Sequence, residues 1–297
     1  MITRAPLRQQ PQLDERAQRG PPLPAIERIV VPLDGSQVAE RVLAWAVALG
    51  RSLRAEILLV RAYGSGSGFP MGNARRMRSR ANTRDALTPA SRYLGRVTNE
   101  LRNCGVRVAT RLIPLHADKA ILEVAAHAPV DLILLSVTPH ASGGRADSLG
   151  RVADTVVRQT QVPVLLTTAL KGSYVLNLDR MPVRVLVPLD AAMAGSSALP
   201  YAQAFVHALH GSVTCVRRAS AADVGDQAHE QDACGSTPVD TYLVAGATCD
   251  EFVDGIGRIQ GHLIVWSRPR DPAERAYWAR GAAQLLYSGH RPVLMVP

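Results

Sequence analysis

The chain has 297 residues, of which 47% are hydrophobic and 20% charged, and no apolar run approaches the length of a membrane-spanning helix. This composition excludes a disordered or fibrous chain and predicts two globular domains. The net charge of +9 suggests a nucleic-acid partner, but of 34 lysine and arginine residues only Lys119 and Lys171 are lysine, which codon bias also explains. Aromatic residues, at 4%, are too few for a base-stacking surface.

Residues 1–25 are rich in Arg, Gln and Pro and lack the apolar core of a signal peptide. We expect a disordered leader here, because the segment has too few apolar side chains to offset the entropy cost of ordering. The four cysteines lie too far apart in sequence for a CxxC pair, which argues against a zinc ribbon or a redox dithiol. A reducing, cytoplasmic setting is therefore expected.

From residue 26 onward, short β-branched runs alternate with longer amphipathic stretches, which is typical of a parallel α/β sheet. Strands are predicted at 29–33, 56–62, 107–113, 131–136 and 163–168, and helices at 37–53, 84–103, 117–127 and 150–160. The strands are continuously apolar, which favours helices on both faces of the sheet. Val38, Val42, Trp45 and Leu49 form one apolar stripe on the first helix, and Ser36 is its predicted N-cap.

An internal repeat organises the chain. The segment RIVVPLD at residues 28–34 recurs as RVLVPLD at residues 184–190, and each copy ends in a similar apolar strand. The second copy is therefore predicted to have strands near 184–189, 212–217, 240–245, 262–267 and 292–296, and helices near 196–210 and 274–287. We predict one domain over residues 26–170 and a second, shorter one over residues 183–297.

Asp34 is the first candidate binding residue, because ligands of open parallel sheets bind at the carboxyl ends of the strands. Its carboxylate could accept hydrogen bonds from a ribose or an adenine amino group, or it could cap the first helix; the local sequence leaves both interpretations open. Further on, Gly143, Gly144 and Gly150 precede a helix whose N-terminus could hold a phosphate.

These features together resemble a tandem two-domain member of the universal stress protein family. The resemblance rests on VPLDGS at residues 31–36, on GRVADTVVRQTQVPVLL at residues 150–166 and on the predicted strand order. It implies that each copy is a five-stranded parallel-sheet, Rossmann-like sandwich with a stress-response or regulatory role. Because the family commonly dimerises through its last strand, residues 164–168 are expected to pair with 293–296, giving an intramolecular pseudo-dimer, with a homodimer as a further option.

In ATP-binding members, the nucleotide contacts the aspartate after strand one, the end of strand two and a glycine-patterned loop. Carried over to this chain, the resemblance implies that ATP or another adenine nucleotide is held in the first copy by Pro32, Leu33, Asp34, Ala62, Val137, Gly144, Gly150, Arg151 and Val152. Three positions depart from the pattern. Ser136 and Val137 stand where its first glycine is expected, the second glycine position falls near His140 or Ala141, and Arg151 replaces a hydroxyl residue. An arginine can bind phosphate, fill the pocket or point to solvent.

The second copy departs further from the pattern. It keeps Asp190, but alanines replace the Gly-Ser that follows Asp34, and no glycine occurs between Trp266 and Gly281. We expect Trp266 and two nearby prolines to narrow this site. The second copy is therefore predicted to be a structural partner that binds no nucleotide.

The Arg-rich segment 75–111 contains ten arginines and only two acidic residues. It could bind nucleic acid or an acidic protein, but a solvated helix face in an arginine-biased protein is the favoured interpretation, since no nucleic-acid-binding motif accompanies it. Nucleic acid is thus the less favoured partner, and a protein partner is left unidentified. The eight histidines show no metal-site spacing, so no metal is predicted.

Three hypotheses about function follow. The first is a nucleotide-responsive stress or signalling module that binds an adenine nucleotide in its first copy only. The second is an interaction or scaffold protein of the same fold, with both sites degenerate and no bound nucleotide. The third is a slow ATP hydrolase, for which Asp147 and Asp154 are candidates by proximity alone. No catalytic residue is predicted, and the protein is not expected to be an enzyme beyond such slow hydrolysis.

Overall fold

A computed structural model describes residues 23–64, 81–138, 148–168, 182–189, 197–218, 231–234, 237–244, 248–269, 272–288 and 291–297. In this part of the chain, eleven strands form one sheet, and helices alternate with most of the strands along the sequence. The predicted α/β class is confirmed. Residues 1–22 of the predicted leader lie outside the described residues.

The first copy contains every strand that its sequence predicts. Its elements are β1 (Arg28–Pro32), α1 (Gln37–Glu40), α2 (Leu43–Ser52), β2 (Glu56–Ala62), α3 (Ala81–Asn103), β3 (Arg107–Ile113), α4 (Ala117–His127), β4 (Leu132–Val137), α5 (Arg151–Gln159) and β5 (Val164–Thr168). The prediction of one helix over 37–53 is wrong, because a turn at residues 41–42 separates α1 from α2. The predicted stripe still packs inward, since Val42, Trp45 and Leu49 are all buried.

The second copy repeats this plan with two elements that the sequence did not reveal. It contains β6 (Arg184–Leu189), α6 (Ala198–Leu209), β7 (Ser212–Arg218), β8 (Gln231–Cys234), β9 (Thr237–Val244), α7 (Cys249–Arg258), β10 (Leu263–Ser267), α8 (Pro272–Ser288) and β11 (Val293–Val296). Strand β8 adds an antiparallel edge to β9. Helix α7 was missed although it begins with a capping box between Thr248 and Glu251.

The strand order shows the duplication directly. The sheet runs β3-β2-β1-β4-β5-β11-β10-β6-β7-β9-β8, so the order of the first copy recurs, reversed, as β11-β10-β6-β7-β9. Neighbouring strands are parallel within each of these five-strand sets. Strands β5 and β11 pair antiparallel, with Leu165 opposite Leu294. The predicted intramolecular pseudo-dimer is therefore confirmed.

The hydrophobic core continues across the seam where β5 meets β11. Leu165 and Leu294 belong to the cluster on one face of the sheet, and Leu166 and Val293 belong to the cluster on the other face. All four side chains have 0% exposure. Burying such a side chain stabilises a fold by about 1.5–3 kcal/mol, so these four residues stabilise the pairing of β5 with β11.

Side chains of the second copy also satisfy backbone groups of the first. Arg268 donates from Nη2 to the carbonyl oxygens of Val157 (3.1 Å) and Thr160 (2.7 Å) at the C-terminus of α5. Tyr287 donates from its hydroxyl to the carbonyl oxygen of Ser148 at 3.1 Å, and burial raises the pKa of Tyr287 to about 12. These contacts fix both ends of α5 against the second copy, and the N-terminal end borders the candidate site.

Candidate functional site

A cavity of about 360 Å³ lies at the carboxyl ends of β1, β2 and β4. The winding of the first copy reverses between β1 and β4, which is where open α/β sheets bind ligands. The N-terminal residues of α4 and α5 complete its wall. The cavity therefore lies at the point where the winding order reverses, at the carboxyl ends of the strands.

Six of the nine predicted binding residues line this cavity: Pro32, Leu33, Asp34, Ala62, Arg151 and Val152. Val137 ends β4 with only 4% exposure and is not among the lining residues, although its neighbour Ser136 is. Gly150 precedes α5 as its N-cap and also lies outside the lining. Gly144 lies outside the described residues. The structure thus brings the strand ends and the start of α5 together around one space.

Asp34 organises the loop between β1 and α1. Its Oδ1 accepts hydrogen bonds from the backbone N–H of Ser36 (2.8 Å) and from the Ser36 hydroxyl (2.6 Å). Ser36 Oγ in turn accepts from the N–H of Ala39, so Ser36 is the N-cap, as predicted, and Asp34 is not. No described residue donates to Asp34 Oδ2, and Asp34 is exposed. One carboxylate oxygen is therefore available to a ligand.

Arg61 is a lining residue that the sequence analysis missed. Only 6% exposed, it donates from Nη1 to the carbonyl oxygen of Leu33 (3.3 Å), and its guanidinium lies 5.0 Å from the centre of the Tyr93 ring. Burial lowers the pKa of Arg61, while the nearby Tyr93 and Asp34 act in the opposite direction. Because an arginine stays charged even so, the cavity contains a fixed positive charge beside the Asp34 carboxylate.

The turn between β1 and α1 requires a glycine at position 35. Its φ is +83°, a conformation that side chains rarely adopt. A Cβ atom at this position would also lie 2.9 Å from Nη1 of Arg61. Because Gly35 has no side chain, the turn packs directly against the buried Arg61 guanidinium. This contact holds the loop after β1 against the end of β2.

The N-terminus of α5 is the second polar feature of the cavity. Its N-cap residue, Gly150, has no side chain that could accept a hydrogen bond from the first turn of the helix. Among the described residues, none accepts a hydrogen bond from the backbone N–H of Arg151, Val152 or Ala153. These donors and the helix dipole favour an anion. The Arg151 side chain is 70% exposed, with Nη1 3.8 Å from Asp118 Oδ2, so it borders the cavity without filling it.

The equivalent position of the second copy is occupied by an indole. Trp266 takes the place in β10 that Leu135, a lining residue of the first cavity, takes in β4. It has 0% exposure, and a Cβ atom on Gly281 of α8 would lie 2.6 Å from its Cη2 atom. The ring therefore packs directly onto the α8 backbone, in agreement with the expected narrowing of this site.

Helix α8 also removes the donors that α5 offers. Counted back from the prolines before β5 and β11, Ala279 and Arg280 correspond to Gly150 and Arg151. Helix α8 begins at Pro272, so both counterparts lie in its interior, where backbone N–H groups are bonded within the helix. A phosphate would find no unbonded backbone donors there.

The Arg-rich helix α3 makes contacts within the chain. Arg96 forms ion pairs with Glu40 (2.6 Å) and Glu100 (2.7 Å). Arg102 donates to the carbonyl oxygen of Val108 at 3.3 Å. Residues 75–80 lie outside the described part of the chain. These contacts agree with a solvated helix face that is tied to its own domain.

The described residues contain neither a metal site nor a membrane-spanning helix. No group of three or more His, Cys, Asp or Glu side chains there could hold a metal ion. Within the same ranges, no helix is both long and apolar enough to cross a membrane.

Comparisons with known proteins identify the family of the first copy. Residues 25–168 match the model of the Universal stress protein family, whereas no curated protein sequence matches the chain. A universal stress protein from Archaeoglobus fulgidus aligns with 91% of this chain and 97% of its own (TM-score 0.68, 14% identity). A putative universal stress protein from Pseudomonas aeruginosa aligns over 92% and 93% (TM-score 0.63, 14% identity). These structures establish a common fold across both copies. Residues 25–168, the first copy, therefore form a domain of the universal stress protein family.

Proposed function

We propose that this protein is a nucleotide-responsive regulatory module that binds ATP or a related adenine nucleotide in its first copy and none in its second. The observation that carries this proposal is the asymmetry between the copies. The first has a cavity with an available carboxylate oxygen and unbonded helix donors, whereas in the second Trp266 and the longer α8 take their place.

The deep part of the cavity suits a flat aromatic base. Its apolar walls include Val60, Ala62, Ile121 and Leu135, which come from β2, α4 and β4. Its volume of about 360 Å³ lies within the range of roughly 300–1,000 Å³ that small-molecule sites show. An adenine ring would therefore be buried between strand ends and the first turns of α4.

The two polar features fit the remaining parts of a nucleotide. Asp34 Oδ2 is positioned to accept hydrogen bonds from ribose hydroxyls, because Oδ1 is held by Ser36 and keeps the carboxylate oriented. The N–H groups that begin α5 would receive phosphate oxygens, and Arg151 at the rim adds a cation. Arg61 contributes a second positive charge that favours anionic over neutral ligands.

The proposal assigns binding to this site and no catalysis. Of the two acids considered for hydrolysis, Asp154 accepts a hydrogen bond from Arg158 Nε at 2.8 Å on the surface of α5. Asp154 does not line the cavity, so it is not placed to activate a water molecule against a phosphate bound there. The other acid, Asp147, lies outside the described residues. We therefore expect binding to regulate contacts with a protein partner.

The test is calorimetric titration of the full chain with ATP, ADP and AMP, after any co-purified nucleotide has been removed and identified. We expect one nucleotide to bind per chain. Asp34→Ala removes a charged acceptor worth about 1.5–3 kcal/mol, so affinity should fall roughly ten- to hundredfold. Asp190→Ala is the matched control, because it removes the corresponding aspartate of the second copy and should leave affinity unchanged.

The outcomes separate the hypotheses. If no adenine nucleotide binds or raises the melting temperature, the first-copy site is degenerate and the interaction or scaffold interpretation replaces this proposal. If Asp34→Ala and Asp190→Ala weaken binding equally, the asymmetry argument is wrong. Two nucleotides bound per chain would also contradict it.

A further inference from the structure

We propose that the outer edge of β3 is a docking site at which an acidic, extended segment of a partner protein adds a strand to the sheet. Strand β3 lies at one end of the strand order, and among the described residues it pairs with β2 alone. A strand edge of this kind presents backbone N–H and C=O groups to which another strand can bond.

The backbone contacts show which residues of β3 face outward. The carbonyl oxygen of Ile113 accepts a hydrogen bond at 3.0 Å from the N–H of Tyr63, directly after β2, so Ile113 faces β2. Successive residues of a strand direct their backbone groups to opposite sides, so Val108 and Thr110 face the outer edge. Arg102 agrees with this assignment, because it donates from Nη2 to the Val108 carbonyl oxygen at 3.3 Å. Thr110 is exposed, so the middle of the edge is accessible.

Two arginines give this edge a positive charge. Arg107 and Arg111 are exposed and lie on the face of β3 opposite to the one that packs against α3. Neither forms an ion pair with a described acid, and Glu56, which lies opposite Arg107 in β2, bonds to Arg28 instead. Arg107 also donates from Nη2 to the carbonyl oxygen of Arg54 at 2.8 Å, which keeps it beside the strand. The charge of the edge therefore complements an acidic partner.

The spacing of Arg107 and Arg111 fits a peptide strand. Four residues of a strand span about 13 Å, and an added strand with acids at alternate positions places a carboxylate opposite each arginine. Its alternating N–H and C=O groups match those of the edge, whereas the phosphates of a nucleic acid only accept hydrogen bonds. Two copies of this chain that paired through β3 would bring their arginines together. The charges therefore select an acidic segment and disfavour other strands.

The second copy shows that this position of the fold accepts an added strand. Strand β9 takes the place of β3 in the reversed strand order, and β8 pairs antiparallel with the outer edge of β9. Strand β8 has four residues, so a short segment is enough to cover this edge. A partner segment would do at β3 what β8 does at β9.

The experiment is a fluorescence-anisotropy titration of the full chain, freed of nucleotide, with a labelled octapeptide of alternating Glu and Thr. A peptide of alternating Gln and Thr keeps the strand-forming backbone and removes the charge. A peptide of alternating Glu and Pro keeps the charge and removes half of the backbone donors, so it cannot bond as a strand. Because no nucleotide is present, this docking site and the proposed nucleotide site can fail separately.

Variants of the chain test the same two requirements. The double change Arg107→Gln and Arg111→Gln removes the charge. Thr110→Pro removes an outward N–H without breaking a bond to β2, and edge strands tolerate such a proline. Arg258→Gln, at an exposed position of the second copy, is the matched charge control, and Thr110→Val keeps the N–H that proline lacks. Urea unfolding checks that the variants remain folded.

We expect the Glu-Thr peptide to bind the wild-type chain, to bind roughly tenfold more weakly to the double arginine variant and not to bind Thr110→Pro. Arg258→Gln and Thr110→Val should bind as the wild type does, and both control peptides should bind more weakly. If Thr110→Pro does not fold, the Glu-Pro peptide makes the same test of strand pairing.

Three results would overturn the proposal. The first is no saturable binding of the Glu-Thr peptide. The second is equal binding of the Glu-Pro peptide, or displacement of the Glu-Thr peptide by a single-stranded oligonucleotide together with unchanged binding to Thr110→Pro, because charge alone would then suffice. The third is self-association of the wild-type chain that Thr110→Pro abolishes in sedimentation, which would assign the edge to a second copy.

Discussion

The contact between Gly281 and Trp266 provides a sharp test of how the second-copy site is filled. We predict that Gly281→Ala destabilises the protein, although alanine is the better helix former at this position in α8. The new Cβ atom would lie 2.6 Å from Trp266 Cη2, 3.2 Å from Cζ3 and 3.2 Å from Val253 Cγ2. Trp266 and Val253 are at most 1% exposed, so they have little freedom to move away.

The magnitude follows from two opposing effects. Replacing glycine by alanine in a helix interior stabilises by about 1 kcal/mol. Overpacking of a close-packed core costs about 1–3 kcal/mol, and a contact this short belongs in the upper half of that range. The net effect of Gly281→Ala should therefore be a loss of about 1–2 kcal/mol. Gly95→Ala in α3 is the control and should stabilise by up to about 1 kcal/mol, since nothing lies within 4 Å of its Cβ position.

Trp266→Leu completes the test, because it introduces the side chain that the first copy has at Leu135 and removes the ring atoms nearest to Gly281. The single change should cost about 2–3 kcal/mol in lost burial. In that background Gly281→Ala should become neutral or stabilising, which gives a coupling free energy of about 2 kcal/mol. Urea unfolding of the four chains measures it, provided that the m-value stays constant. Equal effects of Gly281→Ala in both backgrounds would refute the packing argument.

Two further predictions concern the seam and the pH dependence of stability. Arg268→Ala should destabilise by about 1–3 kcal/mol, because it leaves the carbonyl oxygens of Val157 and Thr160 without this donor; an unchanged melting temperature would contradict it. Burial, helped by Arg184 and Arg291, lowers the pKa of His262, whose Nδ1 accepts from the Arg184 N–H. The unfolded chain therefore binds this proton first, and stability should fall as the pH drops below about 6.5; His262→Gln should reduce that fall in unfolding curves.

The fold was predictable from sequence because its signals are repeated and local. The recurrence of VPLD marks β1 and β6, and apolar runs mark the other paired strands. Helix α7 was not predicted because Gly255 and Gly257 interrupt the apolar periodicity of its sequence. Packing against α8 and the capping box stabilise this helix instead. Strand β8 is four residues long and pairs only at the edge, which leaves almost no pattern to detect.

Residues of the candidate site could be predicted from sequence when their position depends on where a strand ends. They could not be predicted when their position depends on the direction of a side chain. Asp34 follows the end of β1 and Ala62 ends the neighbouring parallel strand β2, so topology alone brings them together. Arg61 carries no such signal, because an arginine near the end of an apolar strand usually reaches solvent. Its burial under Gly35 and against Tyr93 depends on how α3 packs, which local sequence does not reveal. The prediction that nucleotide contacts these residues is still to be tested.

The β5–β11 seam also has a consequence for synthesis on the ribosome. Strand β5 ends at Thr168, and its partner begins only at Val293, so more than a hundred intervening residues must be translated before the two can pair. During that interval the first copy exposes the unpaired edge of β5, which could pair with another nascent chain. Chaperone protection would therefore matter most in the interval between the synthesis of β5 and the synthesis of β11. A stalled or truncated chain would be more prone to aggregate than the finished protein.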